Sequence, residues 1–370
     1  MQLKSLTIEY LNRCNLNCAH CAVSASSNLS DKVRLVDAKE WVAVAKRYGI
    51  TELYISGGEP FLEFEELCDL VKYSHLLGIK STVYTNAFWA TSPENTRNHL
   101  LPLRESGLDC LHTSLDCFHE KEGISLQNLV NVASVAREMD LKVILNIVQT
   151  KDKEIDYNFI KRTFEKHAVN MEYSFAKSVG RASELSGKAF IREKRCNMKK
   201  GCRYYANPLI SAKGEVFACG GAYLLAGAHN PLKLGNVHEI PLSDIIERFF
   251  NLKLMHSVAT FGPFFLYELV AKERRLPVKN KFSCICEFCS YLLNDEENAR
   301  IIQKKLENPD PELRFKLKLA ELAYKNIDHL STGRITPHIV LFCDYHFPTF
   351  IKFARKVING ICNHRLMGGS

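Results

Sequence analysis

The 370 residues carry 49 Lys+Arg against 41 Asp+Glu, a formal charge of +8, with 46% hydrophobic and 24% charged residues. That length suits one large α/β unit with an appendage or two ordinary domains, and the composition excludes disordered, collagen-like and coiled-coil chains. No apolar run reaches the ~18–20 residues that span a bilayer, and no basic-then-apolar signal opens the chain, so the expectation is a cytosolic protein away from membranes.

Short β-branched runs alternate with amphipathic stretches through about residue 180. The expected strands are 4–10, 52–56, 80–85, 110–116, 141–148 and 171–176, and the expected helices are 37–48, 63–77, 93–105, 125–139 and 157–167. Asp37 and Ser125 read as N-caps, and Gly49 and Gly78 stand where a helix end needs a left-handed residue. Six strands with five intervening helices imply an α/β fold, a parallel sheet of right-handed crossovers that curves into a partial (β/α)6, TIM-like barrel. Chemistry in such a fold gathers at the C-terminal strand ends.

The texture changes after Gly180. A hairpin is expected around Ala212-Lys213-Gly214-Glu215, cysteines crowd again between Lys281 and Cys289, and a largely helical insertion lies between. From about Asp295 onward the pattern LRFKLKLAELAYK suggests a helical extension, and from Glu296 to the end 12 Lys+Arg face 8 Asp+Glu. The expected division is therefore 1–185, a barrel; 186–295, a metal-stapled module; and 296–370, a basic helical extension. Basic surface of this kind is usually a solvated helical face, though it is also where an acidic partner would dock. No aromatic-interleaved basic pattern argues for nucleic acid.

Fourteen cysteines in a reducing compartment are to be read for metal before disulfide. Cys14, Cys18 and Cys21 lie in RCNLNCAHC, directly after the first strand. One short loop can wrap these three thiolates around a single metal centre and leave a position open. A structural zinc site usually takes four protein ligands, whereas an iron–sulfur cluster held by three thiolates keeps one iron for a substrate or cosubstrate. Cys202 and Cys219, then Cys286 and Cys289 in CxxC spacing, form two further pairs that could close a site on zinc or on iron. Cys68 reads as core, and Cys110, Cys117, Cys343 and Cys362 have no partner at metal spacing.

CxxxCxxC after strand one resembles the signature of radical S-adenosylmethionine (SAM) enzymes. The resemblance implies a [4Fe–4S] cluster on Cys14, Cys18 and Cys21. It gives Gly57-Gly58-Glu59-Pro60 the role of the family's GGEP segment, which holds the SAM amino group through its backbone and carboxylate. Thr85 and Asn86, Ser114 and Asp116 of the TSLD segment, Asn146 and Arg181 complete the SAM-binding set it implies, with Ser114 and Asp116 toward the ribose and carboxylate. His20 receives only a packing role. Cys202, Cys219, Cys286 and Cys289 resemble the twitch form of the SPASM domain, which implies one auxiliary [4Fe–4S] cluster. Up to about residue 295 the chain is similar to the epipeptide-type peptide epimerases, with Phe88-Trp89, the Cys202–Cys219 spacing and FSCICEFC in common.

That likeness implies a ribosomally made precursor peptide as substrate and an electron donor such as flavodoxin or ferredoxin. In those epimerases a second cysteine, the hydrogen donor, follows the hairpin ligand; here the position is Gly220. Four readings stay open: a peptide-crosslinking or otherwise oxidising enzyme, an epimerase whose donor has moved to Cys284, Cys196 or Cys117, a small-molecule dehydrogenase, and a non-catalytic zinc scaffold. No separate recognition domain is expected before Cys14, and leader binding, where it occurs, would then fall to the C-terminal extension or a partner.

Overall fold

The computed structural model describes residues 3–325 except 151–155, 168, 186–192, 195–200, 203–206, 226, 228, 277–280 and 283. Cys196 and the segment beyond 325, including Cys343 and Cys362, lie outside the described residues. Strands β1 (Ser5–Leu11), β2 (Glu52–Gly57), β3 (Lys80–Thr85), β4 (Cys110–Leu115), β5 (Lys142–Gln149) and β6 (Asn170–Phe175) pair in parallel and in sequence order. Helices α1 (Leu35–Arg47), α2 (Phe64–Leu76), α3 (Pro93–Glu105), the short α4 (Cys117–Lys121), α5 (Leu126–Glu138) and α6 (Tyr157–Phe164) fill the crossovers.

Alternation explains the two faces of the sheet. Val143, Leu145 and Ile147 of β5 are buried, whereas Ile144, Asn146 and Val148 between them are only half-buried, and β2, β3 and β4 repeat the pattern. One face packs under the helices; the other is half-buried.

Ser125 caps α5 as the sequence suggests, in a reciprocal arrangement with Asn128. Gly49 and Gly78 follow their helices with φ of 89° and 66°. Asp37 differs: Arg34 occupies the α1 N-cap, and Asp37 lies in the first turn, pairing with Arg34 at 2.6 Å. A carboxylate is favoured at both places, by capping at one and by the helix dipole at the other.

The hairpin after Gly180 extends this same sheet. β7 (Leu209–Ile210) runs parallel to β1, with Thr7 opposite Leu209, and turns through Gly214, φ 79°, into antiparallel β8 (Glu215–Phe217) and then β9 (Lys233–Asn236). β1 is therefore flanked on both edges and buried along its whole length. Helices α7 (Gly220–Leu225), α8 (Leu242–Phe250) and α11 (Ile285–Leu293) belong with it.

The described residues divide into two compact units, one drawn from Met1–Glu193, Ala206–Asn251 and Lys281–Glu296, the other from Lys194–Tyr205, Leu252–Asn280 and Glu297–Ser370. In the second unit α9 (Lys253–Phe261) and α10 (Phe264–Ala271) bend by 113° at Gly262-Pro263, and α13 (Pro311–Lys325) packs on α9. α12 (Glu296–Glu307) is tied to α9 by Lys253 Nζ on the Leu306 carbonyl at 3.2 Å. Among the described residues no single helix is long and apolar enough to cross a membrane.

Candidate active site

The loop after β1 is held from several directions. Cys14 N donates to the Ser26 carbonyl at 3.1 Å, Cys21 N to the Cys18 carbonyl at 3.1 Å, and Ser24 adopts a left-handed φ of 55°. Arg181 reaches in from beyond β6: Nε donates to the Cys18 carbonyl at 2.9 Å, Nη2 to Ala25 at 2.8 Å, and its backbone N to Cys21 at 3.1 Å. Gly57 and Gly58 press against the loop's start. A Cβ on Gly57 would lie 2.2 Å from the Leu11 oxygen, and one on Gly58 2.0 Å from the Arg13 oxygen. The two glycines are thus required by close backbone approach as well as by the turn.

Cys14, Cys18 and Cys21 carry free thiols. They pack around Leu16, Phe118 and Ile124, with Phe88 and Cys117 alongside. Burial pushes the Cys14 thiol up to about 12, and the neighbouring Glu59, Cys21 and Cys18 add to this. Asn86 Nδ2 lies 3.7 Å from Cys14 Sγ and donates to Asn15 Oδ1 at 2.9 Å.

Two carboxylates anchor the strand ends around this loop, and both face protein. Glu59 is fully buried; Oε1 accepts from Thr85 Oγ1 at 2.9 Å and Phe61 N at 3.1 Å, and Oε2 from Asn86 N at 2.7 Å. Burial raises its pKa to about 7 although these bonds oppose the shift. Asp116, also buried, uses Oδ1 to cap α4 through the amides of Phe118 and His119, both at 2.9 Å. Its Oδ2 meets His119 Nδ1 at 2.8 Å and His20 Nε2 at 3.2 Å. Burial acts to raise the Asp116 pKa, but the two histidines outweigh it and hold the carboxyl below its ordinary range.

His20, for which the sequence suggests packing alone, does stack on Phe118 at 4.5 Å, but it is equally a partner of Asp116. His119 belongs to the same group and carries no motif that sequence reasoning detects. Asn146 Oδ1 accepts from Ser174 Oγ at 2.9 Å, and Ser114 stands opposite Asn146 in the strand register, both on the half-buried face. Three further residues of the half-buried face carry no sequence motif: Tyr54, Tyr84 and His112. The Tyr84 and His112 rings stack at 4.4 Å, and burial lowers the His112 pKa to about 4. Glu9, on the same face of β1, accepts from Ala212 N at 3.0 Å and from Tyr223, while its Oε1 is buried without a partner.

The Phe88-Trp89 pair divides in two. Trp89 is buried, stacked on Phe61 at 4.5 Å with Nε1 on Thr85 Oγ1 at 3.1 Å, while Phe88 packs beside the cysteines.

The later cysteines are placed as follows. A Cβ on Gly221 would lie 2.7 Å from Cys286 Sγ and 3.9 Å from Cys219 Sγ, so these thiols converge on the start of α7. Cys289 follows one turn after Cys286 on α11. Cys284 is the N-cap of α11, and a hydrogen bond from Cys286 lowers its thiol to about 6. Cys202 belongs to the second unit, where its N donates to the Val258 carbonyl at 3.1 Å.

The first donor set fits an iron–sulfur cluster with a bound cosubstrate: three free soft thiols, one buried and two half-buried, share one loop, and within it His20 Nδ1 is buried without a protein partner among the described residues. Residues 8–155 match the Radical SAM superfamily. The chain carries a radical SAM domain. Such a domain implies a [4Fe–4S] cluster and SAM.

Beyond the domain, the chain is 26% identical over 155 residues to the putative peptide biosynthesis protein YydG of Bacillus subtilis, covering 41% of this chain and 48% of that protein. It is 34% identical over 116 residues to the mitochondrial GTP 3',8-cyclase of Arabidopsis thaliana, covering 30% and 28%. It therefore spans about half the length, or less, of these curated relatives. The structure of Streptococcus suis SuiB bound to S-adenosylmethionine superposes with a TM-score of 0.51 at 20% identity, over 66% of this chain and 65% of that one, a likeness of fold.

Proposed function

We propose that this protein is a radical SAM enzyme that removes a hydrogen atom from a ribosomally made precursor peptide and leaves an oxidised or crosslinked product. One observation carries the radical part: three free thiols on a single loop at the C-terminal end of β1 in a parallel sheet. The peptide part is supported by the likeness to a putative peptide biosynthesis protein. Cys14, Cys18 and Cys21 would hold the cluster. When bound, that group supplies the electron that splits the SAM sulfonium into methionine and a 5′-deoxyadenosyl radical.

The protein's own part is position and exclusion. Gly57 and Gly58 bring the β2 end against the loop, Glu59 fixes Thr85 and Asn86, and Asn86 sets Cys14. SAM contacts would then fall to the backbone of Gly57-Gly58-Glu59-Pro60 and to Asn86, Ser114 and Asn146, since the carboxylates of Glu59 and Asp116 and the guanidinium of Arg181 are engaged within the protein. Leu16, Phe118, Ile124 and Phe88 give the cysteines an apolar flank. A second [4Fe–4S] cluster would use Cys219, Cys286 and Cys289, with Cys202 the fourth cysteine of the sequence pattern. It would accept the electron an oxidised product must lose. An epimerase reading would need Cys284 or Cys117 as hydrogen donor.

The test is anaerobic reconstitution with iron and sulfide, reduction, and quantification of 5′-deoxyadenosine. The wild type is expected to cleave SAM and Cys18→Ala to make none; zinc without iron in the wild type overturns the proposal. With a precursor peptide in D2O, loss of two hydrogens supports oxidation, and gain of one deuteron at a stereocentre supports epimerisation instead.

A further inference from the structure

Asp116 touches both the cysteine loop and the helix beside it. Its Oδ2 is shared by His20, which stands between Cys18 and Cys21, and by His119, on α4. His119, held through Nδ1, stands beside the Cys18 side chain. The ring orders the contacts: one nitrogen to the carboxylate leaves the other for sulfur. His20 is fixed from a second side by its stack on Phe118, and the three ligand atoms lie within 4.8 Å of one another.

We infer that Asp116 is a positioning residue for the cluster thiolates, acting through His119 on Cys18 and through His20 on the loop between Cys18 and Cys21, and is not itself a SAM ligand. Both of its oxygens are already engaged, so binding SAM would require breaking contacts with α4 or with the histidines. The inference rests on the radical SAM reading. Hydrogen bonds to cluster sulfurs raise the reduction potential, and partners that orient a ligand change how firmly the metal is held.

Two variants separate the roles. Asp116→Asn keeps the oxygen that caps α4 and replaces the acceptor shared by the histidines. His20→Phe keeps the stack on Phe118 and removes the bond to Asp116. In the reconstituted full-length protein both are expected to lose iron to a chelator about tenfold faster than wild type. In Asp116→Asn, where His119 is no longer held, the EPR-monitored midpoint is expected to turn more negative. SAM binding, followed by the change it causes in the EPR signal, is expected to stay at the wild-type affinity in both. An unchanged midpoint and chelation rate with SAM affinity reduced in Asp116→Asn would overturn the inference and make Asp116 a SAM ligand. Stoichiometric zinc bound by His20, Asp116 and His119 would also overturn it. A wild type that loads no iron is a different failure: it removes the radical SAM reading and the inference together. If Asp116→Asn does not fold, His20→Phe alone decides through its chelation rate.

Discussion

Arg181 Nε donates to the Cys18 carbonyl at 2.9 Å, joining the segment after β6 to the loop after β1. The guanidinium spends itself on loop carbonyls, although the residue's place in the family pattern suggests a cosubstrate contact. Arg181→Met is expected to lose about 2 kcal/mol of stability, read as a lower urea midpoint, and to release iron faster on chelation. Lys at 181 should recover little of this, because an ammonium cannot serve several carbonyls as a guanidinium fork does.

Gly58 and Gly220 give opposite expectations for the same substitution. Gly58→Ala sets a methyl 2.0 Å from the Arg13 oxygen, and because backbone must move, a loss of about 3 kcal/mol is expected. At Gly220 an added Cβ meets nothing within 4 Å, and Gly220→Ala should stay within about 0.5 kcal/mol of wild type. Thermal unfolding of the two proteins side by side checks this; equal losses would contradict the close approach of β2 to the loop.

Gly221→Ala acts on the second cysteine group. Its methyl would meet Cys286 Sγ at 2.7 Å and drive that thiol from its place. Iron per chain in the reconstituted protein is expected to drop from about eight to about four, with SAM cleavage retained. Loss of all iron would show that the two groups load as one.

His112 supplies a pH signature remote from the cysteines. Burial holds its pKa down to about 4 from 6.5, so the fold prefers the neutral ring while the unfolded chain takes up a proton below 6.5. Its contribution is complete above pH 6.5 and is lost as the pH falls toward 4, up to about 3 kcal/mol. Glu172, 4.0 Å away and largely exposed, softens the effect. His112→Phe, which can keep the stack on Tyr84, should flatten the decline in urea-unfolding stability between pH 6.5 and 4 relative to wild type.

What the sequence could show was whatever is local. The six strands, the crossover helices and the turn at Gly214 follow from periodicity and turn chemistry over a few residues, and the cysteine loop from spacing alone. Tyr84 and His112 became visible only through the strand register that sets them side by side. The partnership of His20, Asp116 and His119 spans some hundred residues of chain, and a lone histidine between cysteines carries no pattern that would announce it. The hairpin looked like a separate module because its cysteine texture differs. Its backbone hydrogen bonds, which sequence does not display, join it to β1.

That junction also orders events during synthesis. β1 and its cysteines leave the ribosome first, yet β1 is finished as an interior strand only when Leu209 and Ile210 arrive beside Thr7 and Ile8. Arg181, which clasps the loop, also emerges long after the thiols it steadies. A nascent chain shorter than about two hundred residues thus has every thiol of the first set and an unfinished frame around them. Truncated chains ending before Leu209 are therefore expected to be poor acceptors of iron.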